Sequence, residues 1–165
     1  MKNNKLFSIA LSISLANFII SCNSSKAPGE ILPSFSLLLP DSTTRLNTSD
    51  VKEGAPIALL YFSPDCEHCQ QETEDILKNM DSLKNVQFYF VTIDPFENMK
   101  EFNNYYNLSK YPNIKIGKDE QYLFLRHFKG AYPPYIVLYD KYKVQRKIFK
   151  GEVKLSDLIS AISNL

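Results

Sequence analysis

The sequence predicts an α/β domain, with a mixed central sheet flanked by helices and a β-hairpin extension at its N-terminal end. Continuous apolar runs alternate with stripes of helical period, as covered strands and amphipathic helices require. A Cys-x-x-Cys pair, Cys66 and Cys69, stands where the first long apolar run passes into the first stripe. The last third of the chain reads as strand, turn, strand and helix, which closes the sheet with a hairpin.

The elements follow in order. Residues 35–39 and 45–46 form a short hairpin around Pro40-Asp41-Ser42-Thr43, and a turn at Glu53-Gly54 precedes a buried strand over 57–62. Cys66, Cys69, Thr73, Ile76, Met80 and Leu83 recur at steps of three and four, which places them on one face of a helix running to about residue 83. Residues 86–93 are a second continuous apolar strand. Asp94-Pro95 opens a helix with Phe96, Met99, Phe102 and Tyr106 on its inner face. Between 111 and 128 the pattern fits either period, and a short extended piece followed by a short helix is expected. A strand over 135–139, a turn at 140–143 and a strand over 144–149 come next. Ser156 is placed to cap a last helix whose stripe is Leu158, Ile159, Ile162 and Leu165.

Two thiols at this spacing, at the start of a helix, can close a reversible disulfide, which is redox chemistry. The same spacing supplies half of many zinc sites, but zinc normally takes four ligands. Apart from this pair the chain offers one further Cys, Cys22, and two histidines, His68 inside the motif and His127. The residues therefore call for no metal and no other cofactor. Inert thiols or a purely structural disulfide are the plain alternatives.

Cys22 has its own context. Residues 1–5 are basic, 6–20 are mostly apolar but short for a membrane span, and Ile19-Ile20-Ser21-Cys22 ends the run. Either this is an export signal cleaved near Cys22, or it is an uncleaved anchor; both export the domain, where a dithiol can be oxidised. Residues 22–32 are a flexible tether, polar and without apolar period over 23–30, reaching about 5–6 Å times the square root of its length.

Loss of residues 1–21 would remove Lys2 and Lys5 and no acid, so 19 basic and 18 acidic residues become 17 and 18. That balance leaves no nucleic-acid footprint. Residues 33–165 fit a single domain, and eleven Phe with ten Tyr supply an ample core.

The strand-to-helix CxxC, the Tyr132-Pro133-Pro134-Tyr135 run, Asp140 six residues past Pro134, and Gly151 before the last helix together resemble the thioredoxin fold. Pro33-Ser34-Phe35-Ser36-Leu37 and Cys66-Glu67-His68-Cys69-Gln70-Gln71-Glu72 narrow the resemblance to TlpA/ResA-like and AhpC/TSA-related redoxins of bacterial envelopes. Residues 1–22 similarly resemble a lipoprotein signal peptide whose lipobox Cys, Cys22, becomes the lipidated first residue. The resemblance implies a lipid-anchored thiol–disulfide oxidoreductase of the cell envelope, facing periplasm or exterior. Its partners would be envelope proteins with reducible disulfides or thiols, and a thiol-redox electron donor. Cys66 would be the attacking thiol and Cys69 the resolving one. Glu72 matches a carboxylate that manages the resolving thiol's proton, or is a solvated first-turn acid favoured by the helix dipole. Pro134 matches the cis-proline of the substrate groove, with Pro133 and His68 beside it.

This chain also departs from the pattern. Thioredoxins carry a buried Asp six residues before the first Cys, where Leu60 stands here, and a Trp before the motif, which is missing. Pro133 has no N–H to offer a substrate strand. His68 favours a thiolate when protonated, whereas Asp65 and Glu67 oppose one. Two other functions share parts of the pattern. A peroxiredoxin has Pro-x-x-x-Thr/Ser-x-x-Cys; Ser63 fits, but Leu59 holds the Pro position. A copper-delivery module of the SCO type would join both Cys to a distant His such as His127, although its usual Cys spacing is one residue longer.

Overall fold

The computed structural model describes residues 29–165. The expected signal peptide over 1–21 and Cys22 lie outside the described residues. Seven strands form one mixed sheet: β1 (Ser36–Leu38), β2 (Arg45–Asn47), β3 (Ile57–Tyr61), β4 (Gln87–Thr92), β5 (Ile114–Lys118), β6 (Tyr135–Tyr139) and β7 (Gln145–Lys150). Their order is β2-β1-β5-β4-β3-β6-β7. The β3–β4 and β4–β5 pairs are parallel, and the remaining pairs are antiparallel. The expected α/β class, mixed sheet and N-terminal hairpin are all present.

Strand β3 has neighbours on both sides and helices on both faces, so all five of its residues are buried. Alternate side chains go to opposite layers. Ala58 and Leu60, with Phe62 just beyond the strand, pack with Cys69, Ile76, Met99, Phe102 and Leu158. Ile57, Leu59 and Tyr61 pack with Leu32, Phe35, Phe124 and Phe128. The first layer is contributed by α1 (Glu67–Lys78), α2 (Met80–Leu83), α3 (Phe96–Tyr105) and α5 (Leu155–Ser163); the second by α4 (Leu123–His127) and the N-terminal segment.

Four expectations change. The first helix does not run unbroken to 83: at Asn79 the backbone leaves helical geometry (φ −114°, ψ 21°), and the Asn79 side chain donates to the Asp75 carbonyl (3.0 Å). The extended piece after residue 111 is the full strand β5, paired on both sides. A Cβ on its Gly117 would stand 2.8 Å from the Leu37 Cβ, so the missing side chain is what lets β1 approach. Ser156 is not the cap of α5, which starts one residue before it, with Lys154 at the N-cap and no side-chain cap bond. The packed domain also begins before residue 33. β7 is an edge strand, and its approach offers backbone partners: Gln145 N–H donates to the Glu30 carbonyl (2.8 Å), and Leu32 N–H to the Lys143 carbonyl (2.9 Å).

Candidate active site

The parallel strands β3 and β4 end on one side of the sheet, and α1 starts there. Phe62 N–H donates to the Val91 carbonyl (2.9 Å), extending the ladder one residue past β3. A tight turn follows, in which Cys66 N–H donates to the Ser63 carbonyl (3.1 Å) and the Gln70 side chain to the Pro64 carbonyl (2.8 Å). Cys66 is then the N-cap of α1, in extended geometry, and its Sγ accepts from the Cys69 N–H at 3.3 Å. A thiol thus occupies the place where Ser or Asp usually satisfies a first-turn N–H. Both cysteines are free thiols, Cys66 half-buried and Cys69 fully buried. Burial, with the hydrogen bond to Cys66, pushes the Cys69 thiol well up; the charges of Cys66 and Glu72 add to the rise, against one bond from the Ser63 backbone.

Glu72 lies one turn after Cys69 and is 5% exposed, which excludes the solvated first-turn reading. Both carboxylate oxygens are buried without a hydrogen-bond partner among the described residues. Burial, then the charges of Glu152 and Asp75, push its carboxyl up to about 8. A buried acid without donors holds its proton because the charged form has lost water and gained nothing in return.

The register β3–β6 pairs Tyr61 with Tyr135, which brings the residues before β6 to the same end of the sheet as the CxxC turn. The Pro133–Pro134 bond there is cis. Gly151 N–H donates to the Pro134 carbonyl (2.9 Å), and its φ of +78°, open to Gly without strain, turns the chain out of β7 beside the site. Glu152 follows, and its Oε2 lies 3.2 Å from His68 Nδ1 on α1. The structure therefore brings Cys66, Cys69, Glu72, His68, Pro133 and Pro134 to one end of the sheet. Glu152 joins them, although no local pattern marks it beyond the adjacent glycine. Tyr132, which opens the Tyr132-Pro133-Pro134-Tyr135 run, is 56% exposed beside Gly151.

His127 is not brought to the cysteines. It stands on α4, edge-on to Phe128 in the other layer, with Nε2 3.1 Å from Glu30. The third ligand of a copper site is thus on the opposite face of the sheet. Among the described residues no group of three or more His, Cys, Asp or Glu side chains is arranged to hold a metal ion.

Comparison with known proteins agrees with this geometry. The model of the AhpC/TSA family matches residues 28–148. The chain belongs to the AhpC/TSA family. Among solved structures it is similar to a secreted Mycobacterium tuberculosis disulfide oxidoreductase homologous to E. coli DsbE, at 16% identity and TM-score 0.66, covering 79% of this chain and 96% of that one. It is similar also to MTB dsbF, solved in mixed oxidized and reduced forms, at 22% identity and TM-score 0.64, covering 79% and 93%. A third is the peroxidoxin BcpB from Mycobacterium tuberculosis, at 12% identity and TM-score 0.68, covering 84% and 97%. At these identities the likeness is one of fold. No curated protein matches the chain. It is a thioredoxin-like redoxin, and thiol redox chemistry is its class of activity.

Proposed function

We propose that this redoxin is a membrane-anchored thiol–disulfide oxidoreductase that exchanges disulfides with envelope proteins through Cys66 and Cys69. The observation that carries the reading is an asymmetry: one thiol is accessible at the helix cap, the other is buried one turn before a buried carboxylate. In the reducing direction the Cys66 thiolate attacks one sulfur of a partner disulfide. That S–S bond breaks, one partner thiolate leaves and takes a proton, and a mixed disulfide joins Cys66 to the other partner sulfur. Cys69 then gives its proton to the Glu72 carboxylate and attacks Cys66 Sγ. The mixed disulfide breaks, the second partner thiolate leaves, and Cys66–Cys69 is the disulfide that remains. Two thiols are oxidised and one disulfide is reduced; an external dithiol restores the pair, and the reverse sequence donates a disulfide.

A carboxyl at about 8 is ionised in roughly one molecule in ten at pH 7, with a proton affinity far closer to that of a thiol than an ordinary Glu has. Leu60, where a buried Asp stands in thioredoxins, is packed in the same layer as Cys69, so the proton acceptor here comes from the helix. Pro133 and Pro134 would form the wall against which a partner segment lies. Anchoring rests on Cys22: acylated there, the domain would work within the reach of its tether from the membrane.

The trapping experiment tests the exchange. Cys69→Ser should accumulate partners bound to Cys66 through bonds that a reductant breaks, and Cys66→Ser should accumulate none. Full insulin-reducing activity in both variants would refute the reading. Peroxide consumption by Cys69→Ser at the wild-type rate would instead point to the peroxidase chemistry of the same family.

A further inference from the structure

The loop between β7 and α5 is tied to the site twice. Its backbone is held at the cis bond by the Gly151 N–H to the Pro134 carbonyl, and the Tyr135–Lys150 register fixes the approach. Its side chain is held at α1, where Glu152 Oε2 meets His68 Nδ1 at 3.2 Å. Both partners are about two-thirds exposed, so the contact contributes little to stability. Its consequence is positional, because a negative charge on a loop that could lie elsewhere is fastened next to the helix that carries both cysteines and Glu72.

Resting on the reading of Glu72 as the group that takes the Cys69 proton, we propose that Glu152 is a positioning residue of the exchange reaction: fastened to the CxxC helix by His68, one turn before Glu72, it holds a negative charge near that carboxyl and adds to what burial does in making it a proton acceptor. Glu72 has two buried oxygens and no donor, so no hydrogen bond competes with an external charge in setting its proton affinity. Among the described residues, the negative charges that add to burial in raising its proton affinity are Glu152 from the β7–α5 loop and, with the smaller effect, Asp75 one turn further along α1. Cys69 feels Glu72 in turn and completes the set. Of these groups only Glu152 is on a separate element, placed by its own contacts. The site thereby divides the labour between a buried acceptor on the helix and an exposed charge on the loop.

Stopped-flow reaction of the reduced protein with Ellman's reagent separates the steps. Attack by Cys66 releases one thionitrobenzoate and leaves a mixed disulfide; attack by Cys69 on Cys66 Sγ releases the second. The pH midpoint of the second phase reads the acceptor. Glu152→Gln should lower it by about 0.5–1 unit, the size of an electrostatic effect between partly solvated carboxylates. Glu152→Asp keeps the charge and should keep the wild-type midpoint. In a Glu72→Gln background, Glu152→Gln should change nothing further. A flattened Glu72→Gln profile beside a Glu152→Gln profile that overlays the wild type would overturn the proposal and leave the Glu72 reading intact. A Glu72→Gln profile that overlays the wild type would overturn both. Equal shifts from the Asp and Gln variants would show that shape, not charge, is sensed, and would also overturn it.

Discussion

A carboxyl whose proton affinity rises on folding must make stability depend on pH, and Glu72 gives that dependence a size. Its pKa goes from 4.5 to about 8. Between those values the folded state binds the proton and the unfolded state does not, so the Glu72 contribution to stability is greatest below 4.5 and is lost as pH rises toward 8. At about 1.4 kcal/mol per unit, the loss between pH 5 and pH 8 is about 3–4 kcal/mol. For a domain of ordinary stability, about 5–15 kcal/mol, that is a large fraction. Glu72→Gln removes the titration. The amide also leaves polar atoms buried without partners, which costs about 1–3 kcal/mol at every pH alike. The quantity to follow is therefore the change in the difference between variant and wild type. Urea unfolding of both proteins in the reduced state, at pH 5 and at pH 8, should show the variant gaining about 3–4 kcal/mol on the wild type across that interval. A difference that stays constant within about 1 kcal/mol would mean that Glu72 ionises as freely folded as unfolded, and the proton-acceptor reading would lose its physical basis.

Other predictions concern the anchor and the hairpin. Cys22→Ser should move the domain from the membrane to the soluble fraction with its insulin-reducing activity intact, because tether and site are separate in sequence; continued sedimentation would show that something other than a lipid on Cys22 holds it. Asp140 accepts from Tyr142 N–H (2.9 Å), Val144 N–H (3.0 Å) and Arg146 (2.6 and 2.8 Å), the bonds that form the β6–β7 turn. Burial alone would raise its pKa, but the bonds from Val144, Arg146 and Tyr142 outweigh burial and hold the carboxyl below 3.8. Asp140→Ala should cost about 1–3 kcal/mol in urea unfolding at neutral pH. This contribution is present above pH 3.8 and disappears on acidification through the folded-state value, opposite in sign to that of Glu72.

What the sequence made legible followed from strong local signals. β3 and β4 are buried on both faces and read as unbroken apolar runs; the CxxC turn sits at the change of period; Asp140 to Lys143 carries turn chemistry. β5 was underestimated because only Ile114 and Ile116 among its five residues are large and apolar, and Gly117, which looks like a breaker, is there to admit β1. The break at Asn79 is hidden because the hydrophobic stripe resumes after it through Met80 and Leu83. Buried Asn113 was also missed. Its side chain bonds the Leu83 and Val86 carbonyls (3.3 and 2.9 Å), joining the end of α2 to the approach of β4, a contact across about 30 residues that no local pattern encodes. At the site, the motif announced Cys66, Cys69 and Glu72, and the proline run announced Pro134. Glu152 is an exposed acid in a polar stretch, and only the register of the β6–β7 hairpin shows where it stands.

Leu60, standing where thioredoxins carry a buried Asp, and the buried Glu72 explain one another once the layers are known. Leu60 points into the layer that holds Cys69, so an acid there would ionise next to the resolving thiol from the strand side. With leucine in that place the strand side is apolar, and burial drives the Cys69 thiol up against a single opposing bond from the Ser63 backbone. An unaided thiol in such surroundings would react slowly at neutral pH, since the thiolate is the attacking species. Under the proposed exchange Glu72 would restore an acceptor from the helix, at the first position on α1 after Cys69 that is buried. Its lack of hydrogen-bond donors would be a defect in a residue kept for stability. In an acceptor it is the feature that brings the carboxyl near the working pH, and the stability forgone at neutral pH is what such a placement costs. A double variant tests the exchange of roles directly: Leu60→Asp in the Glu72→Gln background should recover part of the lost resolution rate at pH 7, measured by the second thionitrobenzoate phase. No recovery in a variant that unfolds cooperatively would show that the helix position, and not merely a buried carboxylate in that layer, is required.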